Sequence, residues 1–311
     1  LAKPPRYDGV TADLPLYRAA GIVIGALNAE FAALAPDVLR GDDVRAVHDL
    51  RVNLRRLRSA LAAFAECFPV GKRDRYRREL RRLARSLGVV RDTDVQLAAL
   101  RTALGAAAVG EASGVAYAID NLVAKRRRAL AEFAIELSQF DREGFARLAP
   151  IVRKRGPRVW SAAPRMIEAR RARFARKLDA ALQRRHFGRM HRARIAGKRL
   201  RYTIEFFRSA FGISTSEVLQ QLALVQERLG TVADADASLR LYADFEASLA
   251  VDDPRREGLR ARIAAARRER TRALAAVRAL WRGSARRARY PEMLAASISD
   301  ALGSLSPNDA A

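Results

Sequence analysis

From Leu14 to Tyr290, apolar residues recur every three to four positions, with Ala, Arg and Glu filling the turns between them. That spacing is the signature of helices with one buried face. There is no sustained apolar/polar alternation, so strands are not expected. The pattern predicts helices over 15–35, 43–66, 73–87, 92–104, 114–138, 144–154, 164–186, 189–210, 215–229, 234–248 and 255–282. The expected breakers include Pro36, Gly41, Pro69, Gly71, Gly88, Gly156-Pro157, Gly188, Gly212, Gly230 and Pro254. Residues 1–13 and 291–311 read as loose ends.

Three blocks recur in the same order. Residues 48–64 return at 191–207 with six identities: His48/His191, Arg51/Arg194, Arg56/Arg199, Leu57/Leu200, Arg58/Arg201 and Phe64/Phe207. Leu87-Gly-Val-Val-Arg-Asp-Thr-Asp-Val95 corresponds to Leu229-Gly-Thr-Val-Ala-Asp-Ala-Asp-Ala237, and 126–131 to 270–275. A nearly constant offset implies an internal duplication, with halves over 14–138 and 144–290. Each half holds enough helix for a four-helix bundle. The expected fold is therefore all-α: two antiparallel bundles related by pseudo-two-fold symmetry within a single domain over 14–290.

The repeated helix copies charge as well as packing. At 100° per residue, His48, Arg51, Arg55 and Arg58 fall in a stripe about 80° wide and about 15 Å long. Leu50, Leu54, Leu57 and Leu61 form an adjoining apolar stripe. His191, Arg194, Lys198 and Arg201 reproduce the angles, and Arg56 and Arg199 repeat beside them. Like charges at i, i+3 and i+4 weaken a helix by a few tenths of a kcal/mol per pair, so the stripe calls for solvent or a bound anion. Placed beside the apolar face, it would line a groove between helices. Neighbouring helices add charge around Arg81, at Lys125 to Arg128, which includes Arg126, and at Arg267 to Arg270.

Composition agrees. The chain carries 59 Lys+Arg against 34 Asp+Glu, a net charge of +25, and 53 of the 59 are Arg. Arg holds its charge and grips phosphate oxygens through a bidentate fork. The expected partner is a polyanion. Cys67 is the single cysteine, which excludes a disulfide framework and a thiolate metal site. No run of about 18 apolar residues and no signal-peptide core is evident, so the chain reads as cytoplasmic, and the missing initiator Met reads as a piece of something longer. Asp92, Asp94, Asp234 and Asp236 follow Gly88 and Gly230, where they are expected to cap helices that begin after each glycine; Mg²⁺ ligation is the alternative. No Walker loop, Gly-x-Ser-x-Gly, His-Glu-x-x-His or dinucleotide fingerprint occurs.

The paired His-x-x-Arg helices, with the intervening Leu-Gly-x-x-Arg-Asp-x-Asp-Val, resemble the CHAD family, the conserved-histidine α-helical domain, over residues 14–290. The resemblance implies two bundles around a basic channel that binds inorganic polyphosphate without catalysis and without a cofactor. It implies that His48, Arg51, Arg55, Arg58, His191, Arg194, Lys198 and Arg201 point into that channel. Arg56, Arg81, Arg126, Arg199 and Arg270 complete the candidate set. The family also implies association with polyphosphate granules and, in many members, a preceding CYTH domain. This chain departs from the family at Gln220-Gln221, where Lys is common, and at Ala233-Asp234, where Asn-Asp is common.

Two other functions remain open on sequence. A +25 chain would bind nucleic acid, though no recognised motif appears and aromatics are not interleaved with the basic stripes. A metal-dependent polyphosphate-processing enzyme would need a carboxylate cluster in the basic face. Membrane binding is disfavoured because the basic faces lack opposing Trp and Phe clusters.

Overall fold

Helical periodicity is realised along the whole chain. The computed structural model describes residues 7–41, 43–184, 187–211, 215–283 and 290–303. Its helices are α1 (Leu16–Arg40), α2 (Val44–Ala63), α3 (Val70–Gly105), α4 (Val109–Ser138), α5 (Arg142–Ala146), α6 (Val159–Arg184), α7 (Phe187–Phe206), α8 (Arg208–Phe211), α9 (Thr215–Ala247), α10 (Arg255–Arg282) and α11 (Tyr290–Gly303). No strand occurs among the described residues. The turn between α1 and α2 shows the local chemistry that sets boundaries. Gly41 takes φ 87° at the end of α1, and the Asp43 side chain then accepts from the Arg45 N–H at 2.6 Å to start α2.

Four boundaries differ from the sequence expectation. Gly88 and Gly230 end nothing: α3 and α9 run straight through them, so Asp92, Asp94, Asp234 and Asp236 are mid-helix residues rather than caps. Pro36 lies inside α1. The helix expected over 144–154 is only α5, after which the chain turns extended and the Ile151 N–H donates to the Cys67 carbonyl at 2.7 Å. The supposed loose end contains α11, which buries Tyr290, Leu294, Ile298 and Ala301. Gly212 and His186 lie outside the described residues.

α1 also has the length and composition of a membrane-crossing helix. In this fold Ala19, Ala20, Val23, Ile24, Leu27 and Phe31 of α1 are seated in the core, against α2.

The two halves meet like with like. α1, α2, α3 and α4 form one bundle; α6, α7, α9 and α10 form the other, and α1 touches α6, α2 touches α7, and α4 packs along α10. Individual contacts are reciprocal. The Leu16 N–H donates to the Pro157 carbonyl at 2.9 Å, while the Val159 N–H donates to the Leu14 carbonyl at 3.0 Å. Leu14 and Pro157 occupy equivalent repeat positions, as do Leu16 and Val159. Phe64 meets its equivalent Phe207 edge to face, with ring centroids 5.6 Å apart. Gln96 donates to its equivalent Ser238 at 3.0 Å. Such self-complementary contacts are what a two-fold axis produces. One continuous core runs through both halves, and a smaller one, including Leu100, Leu122 and Leu259, sits at the α3–α4 and α9–α10 tips.

Candidate functional site

Where the bundles meet, helices α2, α3, α7 and α9 enclose a cleft of about 850 Å³. α2 reaches it because Leu50, Leu54, Leu57 and Leu61 are fully buried on the adjoining stripe, which turns the charged stripe toward the gap. His48, Arg51 and Arg55 line the cleft from one half; His191, Arg194, Lys198 and Arg201 line it from the other. Eight cleft positions were expected on the two charged stripes, and seven of them meet here.

The repeated glycines have a role in this site. A Cβ built on Gly88 would approach Arg51 Nη2 at 3.9 Å, and one on Gly230 would approach Arg194 Nη2 at 3.9 Å. Each guanidinium therefore lies over a bare stretch of helix, where a longer side chain would displace it. Arg51 also pairs with Asp92 at 2.7 Å. Arg201 pairs with Glu205 at 3.1 Å and lies over the Tyr202 ring, 5.3 Å from its centroid. Arg194 Nε is buried with no hydrogen-bond partner among the described residues. An orphaned charged donor of this kind is costly to leave unmade.

Cations outnumber anions in the cleft, with Asp92, Glu227 and Asp234 as its carboxylates against seven Lys and Arg side chains. The consequence is strongest at Lys198. Burial, then the charges of Arg55, Arg194, Arg51 and Arg201, push its ammonium down from the ordinary 10.5 to about 6. Burial and Arg51 pull Arg55 down to about 10. His48 is held below the usual imidazole value by burial and then Arg91, and His191 by burial and then Arg194 and Lys198.

The remaining candidates lie elsewhere. Arg126 and Arg270 do not line the cleft: Arg126 pairs with Asp94 at 2.6 Å and Arg270 with Asp236 at 2.9 Å, equivalent braces between α3 and α4 and between α9 and α10. Arg56 is a correction of another kind. It is 2 % exposed and pairs with the buried Glu205 at 3.3 Å across the halves, so it holds the α2–α7 contact and cannot reach a ligand. Arg58, Arg81 and Arg199 stand outside the cleft, near one another. For Arg58 the wheel gave the right angle but ignored the axial position, which lies beyond the cleft.

Arg91, Arg240, Tyr202 and Gln226 line the cleft and were not foreseen. Arg91 lies in the repeated Leu-Gly block, where its mate is Ala233, so the block pointed to it; Arg240 has no repeat partner to mark it. Gln221, one of the two departures from the family's lysines, turns toward α11 and donates to Ser297 at 3.0 Å. The suspected metal carboxylates are already engaged: Asp92 by Arg51, Asp94 by Arg126, and Asp236 by Arg240 and Arg270. Among the described residues, no group of three or more His, Cys, Asp or Glu converges as a metal site would.

These features define a class: an all-α protein of two facing helical bundles with an arginine- and histidine-lined cleft between them. Residues 23–243 match the family model of the CHAD domain, and the chain belongs to that family. The solved CHAD domain from the plant Ricinus communis shares 25 % identity with it, at a TM-score of 0.62, covering 96 % of this chain and 97 % of the other. PptA from Streptomyces chartreusis shares the fold at 19 % identity and a TM-score of 0.68, covering 86 % of this chain and all of that one. No curated protein sequence matches the chain.

Proposed function

We propose that the cleft binds inorganic polyphosphate and does not turn it over. The observation that carries this reading is Lys198, a lysine whose four nearest charges are all arginines and whose pKa falls to about 6 without an anion. A cleft of this composition is incomplete until negative charge enters. A run of phosphoryl groups supplies acceptors for the Arg51, Arg55 and Arg194 guanidinium groups in the bidentate geometry Arg favours. A narrow linear polyanion suits an 850 Å³ cleft; a duplex, whose major groove alone is about 12 Å wide, does not. The ion-paired state of Asp92, Asp94 and Asp236 favours binding over metal-assisted hydrolysis. The reciprocal contacts between halves support origin by internal duplication, with one channel-lining helix in each copy. Binding in the cytoplasm, at polyphosphate granules, fits the same chemistry.

Calorimetric titration with long-chain polyphosphate tests the reading. The Arg51→Ala/Arg194→Ala variant loses two charge-assisted contacts of roughly 1.5–3 kcal/mol each and should bind at least about 100-fold more weakly. Wild-type affinity in that variant would place binding elsewhere.

A further inference from the structure

Lys198 and Arg199 are consecutive on α7 and therefore point about 100° apart. Lys198 enters the cleft; Arg199 emerges on the other flank of the α2–α7 contact. There it joins cations from three further helices. The charges acting most on Arg58 of α2 are Arg81, Arg199 and Arg77, and those acting on Arg170 of α6 are Arg199 and Arg173. Those acting on Arg199 are Arg173 and Arg77. None of these neighbours is a cleft residue, so the two basic groups are distinct.

This flank has the marks of a site and not of a solvated face. Four helices, α2, α3, α6 and α7, aim arginines at one another, and α2 packs on α3 and α7 while α6 packs on α7. Arg58 and Arg170 are partly buried, while Arg81, Arg173 and Arg199 are exposed at its rim. Among the described residues, none of those five forms an ion pair; Arg77 alone reaches a carboxylate, Asp74, at 3.6 Å. The cluster is also not a by-product of the repeat. At the positions equivalent to Arg77 and Arg81 the second half carries Leu219 and Ala223, the mate of Arg199 is the buried Arg56, and the mate of Arg58 is Arg201 in the cleft.

We propose that Arg58, Arg77, Arg81, Arg170, Arg173 and Arg199 form a second, solvent-open oligophosphate site that holds another segment of the same polyphosphate chain. The proposal rests on the reading of the cleft as the first polyphosphate site. Arg58 lies seven residues beyond Arg51 on α2, about 10 Å along the helix, so one chain leaving the cleft can reach the flank. Two sites occupied by one molecule raise the effective concentration at the second, so avidity grows with chain length without any new contact. A short chain occupies the sites singly.

The test compares tripolyphosphate with long-chain polyphosphate by calorimetry. It uses the wild type, the flank variant Arg81→Gln/Arg173→Gln/Arg199→Gln, and the cleft variant Arg51→Gln/Arg194→Gln. The flank substitutions are at exposed positions, and thermal melting checks that each variant folds. Wild type should bind two equivalents of tripolyphosphate and each variant one. The flank variant should also lose at least ten-fold of the preference for long chains. One equivalent on the wild type, with the flank variant unchanged in stoichiometry and chain-length preference, would overturn the second site and leave the cleft reading standing. No polyphosphate binding by the wild type would overturn both. If duplex DNA displaced tripolyphosphate from the cleft variant at matched phosphate concentration, the flank would belong to nucleic-acid backbones and the assigned ligand would be wrong.

Discussion

Gly114 of α4 and Gly258 of α10 lie against each other's helix: a Cβ on Gly114 would overlap the Arg255 carbonyl oxygen, and a Cβ on Gly258 would overlap the Glu111 carbonyl oxygen. The two glycines are equivalent in the repeat, as are Glu111 and Arg255. Backbone meets backbone at this crossing, and the cleft between the bundles depends on how closely α4 and α10 approach.

Gly114→Ala and Gly258→Ala should therefore destabilise the protein by about 1–3 kcal/mol, although alanine favours helix by nearly 1 kcal/mol. Gly25→Ala is the control. Gly25 is exposed inside α1 with nothing within 4 Å of its would-be Cβ, so the same change there should stabilise. Denaturant unfolding of the three variants reads the difference.

The α2–α7 contact gives a second stability prediction. Arg56 and Glu205 are both buried, so Arg56→Ala leaves a carboxylate without its partner and should cost about 3–5 kcal/mol. Arg56→Met with Glu205→Leu removes both charges and should cost much less, which a double-mutant cycle resolves.

Lys198 predicts how the free protein responds to pH. Its pKa is about 6 folded and 10.5 unfolded, so between those values the unfolded chain binds more protons. Stability without ligand should rise with pH from about 6 to about 10.5, and the contribution is lost as pH falls toward 6. Lys198→Met should flatten that rise and stabilise the free protein at neutral pH while weakening polyphosphate binding. Thermal melts across that range check it.

Binding should take up protons. The field that depresses Lys198, His48 and His191 reverses when a polyanion enters, which raises all three pKa values. Affinity should then increase as pH falls from 8 to 6, and His48→Gln/His191→Gln should remove part of that dependence. Calorimetry in buffers of different ionisation enthalpy counts the protons. Chelation with EDTA should leave affinity unchanged, because the ligand's charge is met by Arg and Lys.

Much of this was legible in the sequence, for a physical reason. Arg51/Arg194 and His48/His191 repeat a charged stripe beside an apolar one, and burying Leu50, Leu54 and Leu57 forces the stripe into the gap. Gly88 and Gly230 misled as helix stops because local propensity is weak beside the packing of α3 and α9; their purpose, a bare surface beneath Arg51 and Arg194, is visible only across helices. Arg56 carried the same repeat signal as Arg51, yet its partner Glu205 is 149 residues away, and no local pattern reveals that pairing. α11 was overlooked although Leu294, Ile298 and Ala301 hold the i, i+4, i+7 spacing of a buried face.

The central claim is that an enclosed, cation-lined cleft selects a linear phosphate chain, and competition of long-chain polyphosphate against duplex DNA at physiological salt tests it most directly. At matched phosphate concentration polyphosphate should displace DNA, and Arg51→Ala/Arg194→Ala should abolish that advantage. Equal competition, unchanged by the substitutions, would mean that net surface charge alone drives binding, and would contradict the account.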